Sequence, residues 1–221
     1  MKRSCIIVVL LALLVLPGYA QLTLKVGPTF GGTYRTEGKV LVRFPAGRTQ
    51  QVPLDRSDDT SAGLLVGAEF VDGKVWQAGI GVEHLFPRSV SGHEGRFSFT
   101  SAYVTTRLQA KGVAGLFVSS QFGWTLFRGD GSYTDPAYSG VPLDVYRDNA
   151  KIELRGTVNY GASVGVVRGP FRVEVAYLSY HGKRRLRENA RTAGEVTRVT
   201  DLKTVHRSFS LLLGYTLRTS R

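Results

Sequence analysis

KIELRGTVNYGASVGVVRGPFRVEVAYLSY, running from Lys151 to Tyr180, decides the fold. In its first half Ile152, Leu154, Val158, Tyr160, Ala162, Val164 and Val166 fall on one face, and Lys151, Glu153, Arg155, Thr157, Asn159 and Ser163 on the other. In its second half Phe171, Val173, Val175 and Tyr177 alternate with Arg172 and Glu174. A period of two is the strand period. Val167-Arg168-Gly169-Pro170, between the halves, reads as a tight turn. A strand buried on both faces would not carry these charges, and ordinary strands rarely alternate for so long. Long alternating strands joined by tight turns are the pattern of a barrel that sits in lipid.

The same pattern extends in both directions. Toward the C-terminus a long basic loop is expected at about 183–205, then a strand at 206–217 in which Phe209, Leu211, Leu213, Tyr215 and Leu217 alternate with Ser208, Ser210, Gly214 and Thr216. Toward the N-terminus, strands are expected at about 22–35, 61–71, 75–87, 97–109 and 114–127. Polar loops at 36–60, 88–96 and 128–150 separate them, alternating with short turns at Asp72-Gly73-Lys74 and Lys111-Gly112-Val113. The first of these turns sets Phe70 opposite Trp76 and Glu69 opposite Gln77. With the opening hairpin this makes eight strands, with connections alternating long and short and both chain ends on the short-turn side. Outer-membrane barrels show that asymmetry, with short periplasmic turns and longer external loops. A soluble sandwich or ligand-carrying barrel does not require it.

Residues 1–20 stand apart from this domain. Lys2 and Arg3, the apolar run Ile6 to Leu16, and the small residues Gly18 and Ala20 before a cut make a secretory signal peptide, with the mature domain at 21–221. The run is too short for a spanning helix, which needs roughly 20 residues. Cys5 is the one cysteine and leaves with the signal, so no disulfide or thiolate metal site is expected. Without Lys2 and Arg3, 27 basic residues stand against 17 acidic ones, taking the net charge from +12 to +10. In a secreted chain this excess suits a negatively charged surface such as lipid phosphate, and does not suggest nucleic acid.

Charge also decides which face is inside. The polar faces carry Lys25, Arg107, Arg155 and Arg172 together with Glu69, Glu83, Glu153 and Glu174, four of each sign. A water-facing surface has no need of that balance. The narrow interior of an eight-stranded barrel does, because buried charges require partners. The expected fold is an all-β, eight-stranded antiparallel up-and-down transmembrane barrel whose interior is filled by this ion network. Phe30, Trp76, Phe86, Phe171 and Tyr215 are expected in the interfacial girdles.

In signal peptide, strand count and loop asymmetry, the chain resembles the small bacterial outer-membrane barrels of the OmpA/OmpX type. Its final strand, Phe209 to Leu217, is similar to the signal such proteins show to the barrel assembly machinery, although the chain runs on to Arg221. The resemblance implies an outer membrane, lipopolysaccharide as neighbour and the assembly machinery as a partner during biogenesis. It supplies no catalytic or binding motif.

Candidate sites are few. Lys183, Arg184, Arg185, Arg187, Arg191, Arg198 and Lys203 outnumber Glu188, Glu195 and Asp201 in the last loop, seven to three. The first four are the expected contacts to lipid phosphate, since Arg and Lys bind it well. His206-Arg-Ser208 resembles the His-x-Ser pair of lipid A deacylases, but no carboxylate partner is assigned. Arg128-Gly129-Asp130 is turn chemistry. Asp130, Asp135, Asp144 and Asp148 do not match a calcium loop, and no cofactor motif occurs. The expectation is a non-enzymatic envelope protein, with a lipid-modifying enzyme or a narrow channel for small molecules as alternatives.

Overall fold

Inward and outward side chains alternate along a wall that closes on itself. The computed structural model describes residues 21–43, 49–91, 96–110, 115–129, 150–188 and 198–218, and these form nine strands. They are β1 (Gln21–Arg43), β2 (Thr49–Thr60), β3 (Gly63–Gly73), β4 (Trp76–Ser89), β5 (Arg96–Gln109), β6 (Leu116–Gly129), β7 (Ala150–Arg168), β8 (Phe171–Glu188) and β9 (Arg198–Arg218). Each pairs antiparallel with its neighbour, and β9 pairs with β1 from Gln21↔Arg218 to Glu37↔Lys203, which closes the barrel. β3 pairs with the lower part of β1, Gln21↔Val71 to Thr29↔Gly63, and β2 with the upper part, Gly32↔Thr60 to Arg43↔Thr49. β2 and β3 are therefore two lengths of one barrel stave, interrupted at Ser61-Ala62, and the barrel is eight-stranded.

The faces follow the chemistry of lipid. Leu24, Val26, Ile80, Val82, Val104, Phe122, Val164, Val175, Leu211 and Leu213 point outward and are exposed, with Trp76, Phe86, Phe30, Phe171 and Tyr215 among the exposed aromatics. An apolar exterior on this scale is sheltered only in a bilayer. At the terminal end, Gly169 and Pro170 join Arg168 to Phe171 in a two-residue hairpin. Gly169 takes φ 62° at the first central position, where glycine alone is unstrained.

Five expectations are corrected. The segment 36–60 is mostly a hairpin of β1 and β2 rather than a loop; 183–205 carries the paired ends of β8 and β9; and β4 runs on to Ser89. Beyond the lipid a strand has water on both faces, so it needs no apolar alternation and reads like a loop. Upper lengths of β2, β1, β9, β8 and β7 thus form a sheet that extends the wall past the rest of the rim. The turn at Asp72-Gly73-Lys74 is also displaced: Gly73 pairs with Gln77, so Phe70 faces Ile80 and Glu69 faces Gly81. That is a shift of four residues, an even number, so the inward and outward sets are kept. β3 runs on to Gly73 and the bend falls at Lys74-Val75, two residues later than the composition suggests, and the Gly73 N–H donates to Asp72 Oδ1 at 2.7 Å.

Arg155 is the fifth correction: it is exposed, not inside. Pairing on β7 slips by one residue between Gly156↔Gly182 and Asn159↔Tyr180. One extra residue exchanges the faces beyond it. Two further slips, Phe30/Thr33 on β1 and Leu85/Arg88 on β4, do the same. Gly31, at φ 56°, marks the first, and Pro87 stands in the second. The expected signal peptide, His93, Arg191 and the acidic loop 130–149 lie outside the described residues, as does the side chain of Glu153.

Candidate functional site

The lumen holds two stacked layers. In the lower one Lys25, Arg107 and Arg172 meet Glu69, Glu83 and Glu174, all within 5% of full burial. Glu69 is the hub. Lys25 Nζ lies 3.5 Å from its Oε2, Arg172 Nη1 donates to Oε1 at 3.2 Å, and Arg107 Nη2 donates to the same Oε1. Arg172 also pairs with Glu174, whose Oε2 accepts from Ser163 Oγ at 3.0 Å. Glu83 accepts from Gln121 Nε2 at 3.0 Å and Tyr180 Oη at 2.9 Å, with Lys25 Nζ 3.9 Å away. Arg107 Nη1 donates to Gln77 at 3.0 Å. Three cations and three carboxylates leave the layer neutral, as a medium that cannot solvate charge requires. A void of about 10 Å³ remains beside Lys25, Glu69, Gln121, Ser163, Arg172 and Glu174. That is room for one water at most, roughly 10–15 Å³ being the minimum.

The upper layer is aromatic, and sequence reasoning missed it. Phe99 stacks on Phe127 at 4.7 Å and on Tyr180 at 5.0 Å, and Phe97 lies 5.1 Å from Tyr34. Leu65, Leu85, Val90, Ala176, Leu178 and Leu212 belong to the same cluster. A search for polar inward residues passes over an apolar plug, although Phe97 and Phe99 do keep step with Tyr103 and Arg107 on β5.

Arg88 was also missed. It is 1% exposed, and its Nη2 donates to the Ser61 carbonyl at the interruption between β2 and β3 and to the Thr29 carbonyl at 3.4 Å. Its Nη1 meets His206 Nε2 at 3.0 Å. The guanidinium thus satisfies backbone oxygens where the wall lacks a ladder partner. Pro87 was the available signal, since proline within a strand marks an edge or a bulge.

His206 and Ser208 share a face, and that face is the lumen: they are 0% and 1% exposed. His206 packs against Phe97 at 5.3 Å and Phe99 at 5.6 Å. The donor at its Nε2 is Arg88, which occupies the lone pair a general base would use. Among the described residues Ser208 Oγ has no hydrogen-bond partner and no carboxylate meets His206. Lipid reaches neither side chain. Among the described residues, too, no group of His, Cys, Asp or Glu is placed to hold a metal ion.

Outside the barrel, Lys183 is exposed on β8, whereas Arg184, Arg185 and Arg187 stand on the same strand in register with Leu202, Asp201 and Val199. These four are strand positions rather than loop positions. On β1, Arg35 donates to Asp55 through Nε at 2.9 Å and Nη2 at 2.8 Å, and also contacts Glu37 at 2.9 Å. The hydrogen bond from Arg35 holds the Asp55 carboxyl below its ordinary value. A depressed carboxylate stabilises the hairpin above its unfolded pKa and loses that contribution as pH falls through the folded one. In a carboxyl-carbon NMR titration, Arg35→Gln is expected to move the Asp55 midpoint upward. An unmoved midpoint would show the pair to be absent in solution.

A closed eight-stranded wall, a lipid-facing apolar exterior and a packed polar lumen define the class: this is a small outer-membrane β-barrel protein. No family model matches the chain, and no curated protein does. Among solved structures it is similar to the outer membrane protein AlkL in DMPC lipid bilayers, with TM-score 0.51, 10% identity, and 92% of this chain and 93% of that one covered. It is also similar to OprG of Pseudomonas aeruginosa, with TM-score 0.47, 12% identity and coverage of 91% and 98%. A third is Ail, the attachment invasion locus protein of Yersinia pestis, with TM-score 0.41, 11% identity and coverage of 90% and 99%. At such identities the likeness is one of fold.

Proposed function

We propose that the protein is a closed, non-enzymatic barrel that serves the envelope from its outer rim, with lipopolysaccharide as the surface it contacts and Lys183, Arg184, Arg185 and Arg187 among the contacts. One observation carries the closed reading: the lumen is filled in series by a neutral ion network and an aromatic plug. An ion would have to break buried salt bridges and part stacked rings to pass. The burial of His206 and Ser208 supports the absence of hydrolase chemistry, because an acyl chain in the bilayer cannot reach them. The barrel assembly machinery is the expected partner during biogenesis. Reconstituted in planar bilayers, the protein is expected to show no single-channel conductance. Steady conductance steps from the heat-shiftable, folded species would overturn this reading.

A further inference from the structure

Three neighbouring staves lose their ladder side by side. On β1 the register with β9 slips between Phe30 and Thr33, β2 and β3 part at Ser61-Ala62, and on β4 the register with β5 slips between Leu85 and Arg88. The pairing of β3 with β4 stops at Leu65↔Leu85. Beyond the gap β2 is tied to β4 only briefly. The Ser61 N–H donates to the Ser89 carbonyl at 3.0 Å, the Ser91 N–H donates to the Asp59 carbonyl at 2.7 Å, and Thr60 bridges Val90. The external β1–β2 hairpin thus joins the barrel across a break. Arg88 spans it. Its Nη2 donates to the Ser61 and Thr29 carbonyls and its Nη1 to His206 Nε2 at 3.0 Å, so one guanidinium ties β4 to both sides of the break and to β9.

That tie requires a neutral imidazole. A guanidinium only donates, and an imidazolium carries a proton on each nitrogen and cannot accept. Nδ1, which holds the single proton, has no partner among the described residues. The groups around His206 do not provide for a second charge. β8 brings Tyr180, whose hydroxyl is committed to Glu83 of β4, and β5 brings Phe97 and Phe99. β2 brings Thr60 Oγ1 at 3.4 Å, with Asp58 two residues further on, and β1 brings Tyr34 in register with both His206 and Asp58. His206 lies three residues beyond Phe209, whose ring pairs with Tyr177 at the upper side of the apolar belt, and so stands outside the belt. Burial, and then the Arg88 guanidinium, hold its imidazole well below the ordinary value. A histidine held low favours the closed form fully above its ordinary value of about 6.5, and that advantage falls with pH below it. Each unit of pH below about 6.5 favours an opened form, free to protonate, about tenfold until the closed form itself takes the proton.

We propose that Arg88 and His206 form an acid-released latch on the external β1–β2 hairpin. With His206 neutral, the guanidinium holds the break shut. When His206 takes up a proton the two cations part, and the hairpin loosens where the wall has no ladder, at Gly31 and at Ser61-Ala62. Histidine is the side chain suited to such a switch, because its charge changes within the range an external medium spans. The ion layer lies below the latch, so the device acts on the external sheet and does not depend on whether the lumen conducts.

Amide exchange read by NMR on the full barrel in lipid nanodiscs tests the latch. In wild type the protection of the Ser61 and Ser91 amides, corrected for intrinsic rate, is expected to fall about a hundredfold between about pH 6.5 and about pH 4.5. Ala68 and Val82, paired in the lower barrel, are expected to keep theirs. His206→Gln offers Arg88 a side-chain oxygen but takes no proton, and is expected to hold the protection of Ser61 and Ser91 across that range. Unchanged protection in wild type overturns the proposal. An equal fall in the variant does so too, since it assigns the effect to Asp58 or Glu83. A fall shared by Ala68 and Val82 is acid unfolding and overturns it as well. A second reading needs no variant: the ring-nitrogen shifts of His206 are expected to report protonation in step with the loss of protection. An imidazolium that forms while Ser61 and Ser91 stay protected overturns the latch.

Discussion

Replacing Glu69 by leucine is expected to destabilise the barrel by about 3–5 kcal/mol, the range for removing one partner from a buried ionic cluster. Glu69 meets all three lower-layer cations: Lys25 at 3.5 Å, Arg172 at 3.2 Å, and Arg107 in a direct hydrogen bond. With Glu69 gone, Lys25, Arg107 and Arg172 face only Glu83 and Glu174, and the layer carries an uncompensated positive charge. The remaining void of about 10 Å³ has room for one water at most, too little to solvate that charge. The cost is that of the stranded cations rather than of the lost contacts. A second substitution separates these causes. Arg107→Met on the Glu69→Leu background restores the balance at two charges of each sign, and is expected to recover more than half of the loss. The measurement is the urea midpoint of the barrel refolded in lipid vesicles. A Glu69→Leu barrel as stable as wild type would show that the cations have another counter-charge. A double variant less stable than the single one would show that packing, not charge, governs the layer.

The inward position of these six charges is legible in the sequence, because lipid outside and a narrow lumen inside impose one rule on every second residue. Lys25, Glu69, Glu83, Arg107, Arg172 and Glu174 obey it across five staves without any knowledge of register. Arg155 shows where the rule stops. An unmarked extra residue near Gly156 turns it to the outside, and alternation alone cannot announce such a slip. The four-residue error at Trp76 has a different cause. Parity fixes faces but leaves even shifts free, so alternation alone does not choose among them. The extended hairpin of β1 and β2 is harder still, since with water on both sides neither face is constrained. The aromatic plug was hidden by the premise that inward means polar, and Arg88 by the register slip beside Pro87, which turns it inward where a loop was expected. Where the lumen is capped it behaves as an ordinary protein core, and Phe97, Phe99 and Tyr180 pack there as they would in a soluble protein.

Lipid also sets the largest single cost on the outside. Val175 stands on β8 between Val164 of β7 and Leu211 of β9, all three exposed and apolar. It lies between the turn-side aromatic pair Phe171–Tyr215, 5.4 Å apart, and the upper pair Tyr177–Phe209. An arginine there lies inside the belt, between the two aromatic pairs, and Val175→Arg is expected to cost roughly 2–4 kcal/mol. Leu217→Arg, on the same exterior of β9 but beside the terminal turns, is expected to cost about 0–1 kcal/mol, because its side chain reaches headgroups without deforming the bilayer. Unfolding in vesicles of matched thickness measures both. A depth-dependent difference follows only if the apolar face contacts lipid. If this face were covered by protein, the two arginines would differ according to local packing and not according to height. If it faced water, neither would cost more than the few tenths of a kcal/mol usual for a surface change. Equal costs at the two positions would therefore remove the belt on which the membrane assignment depends.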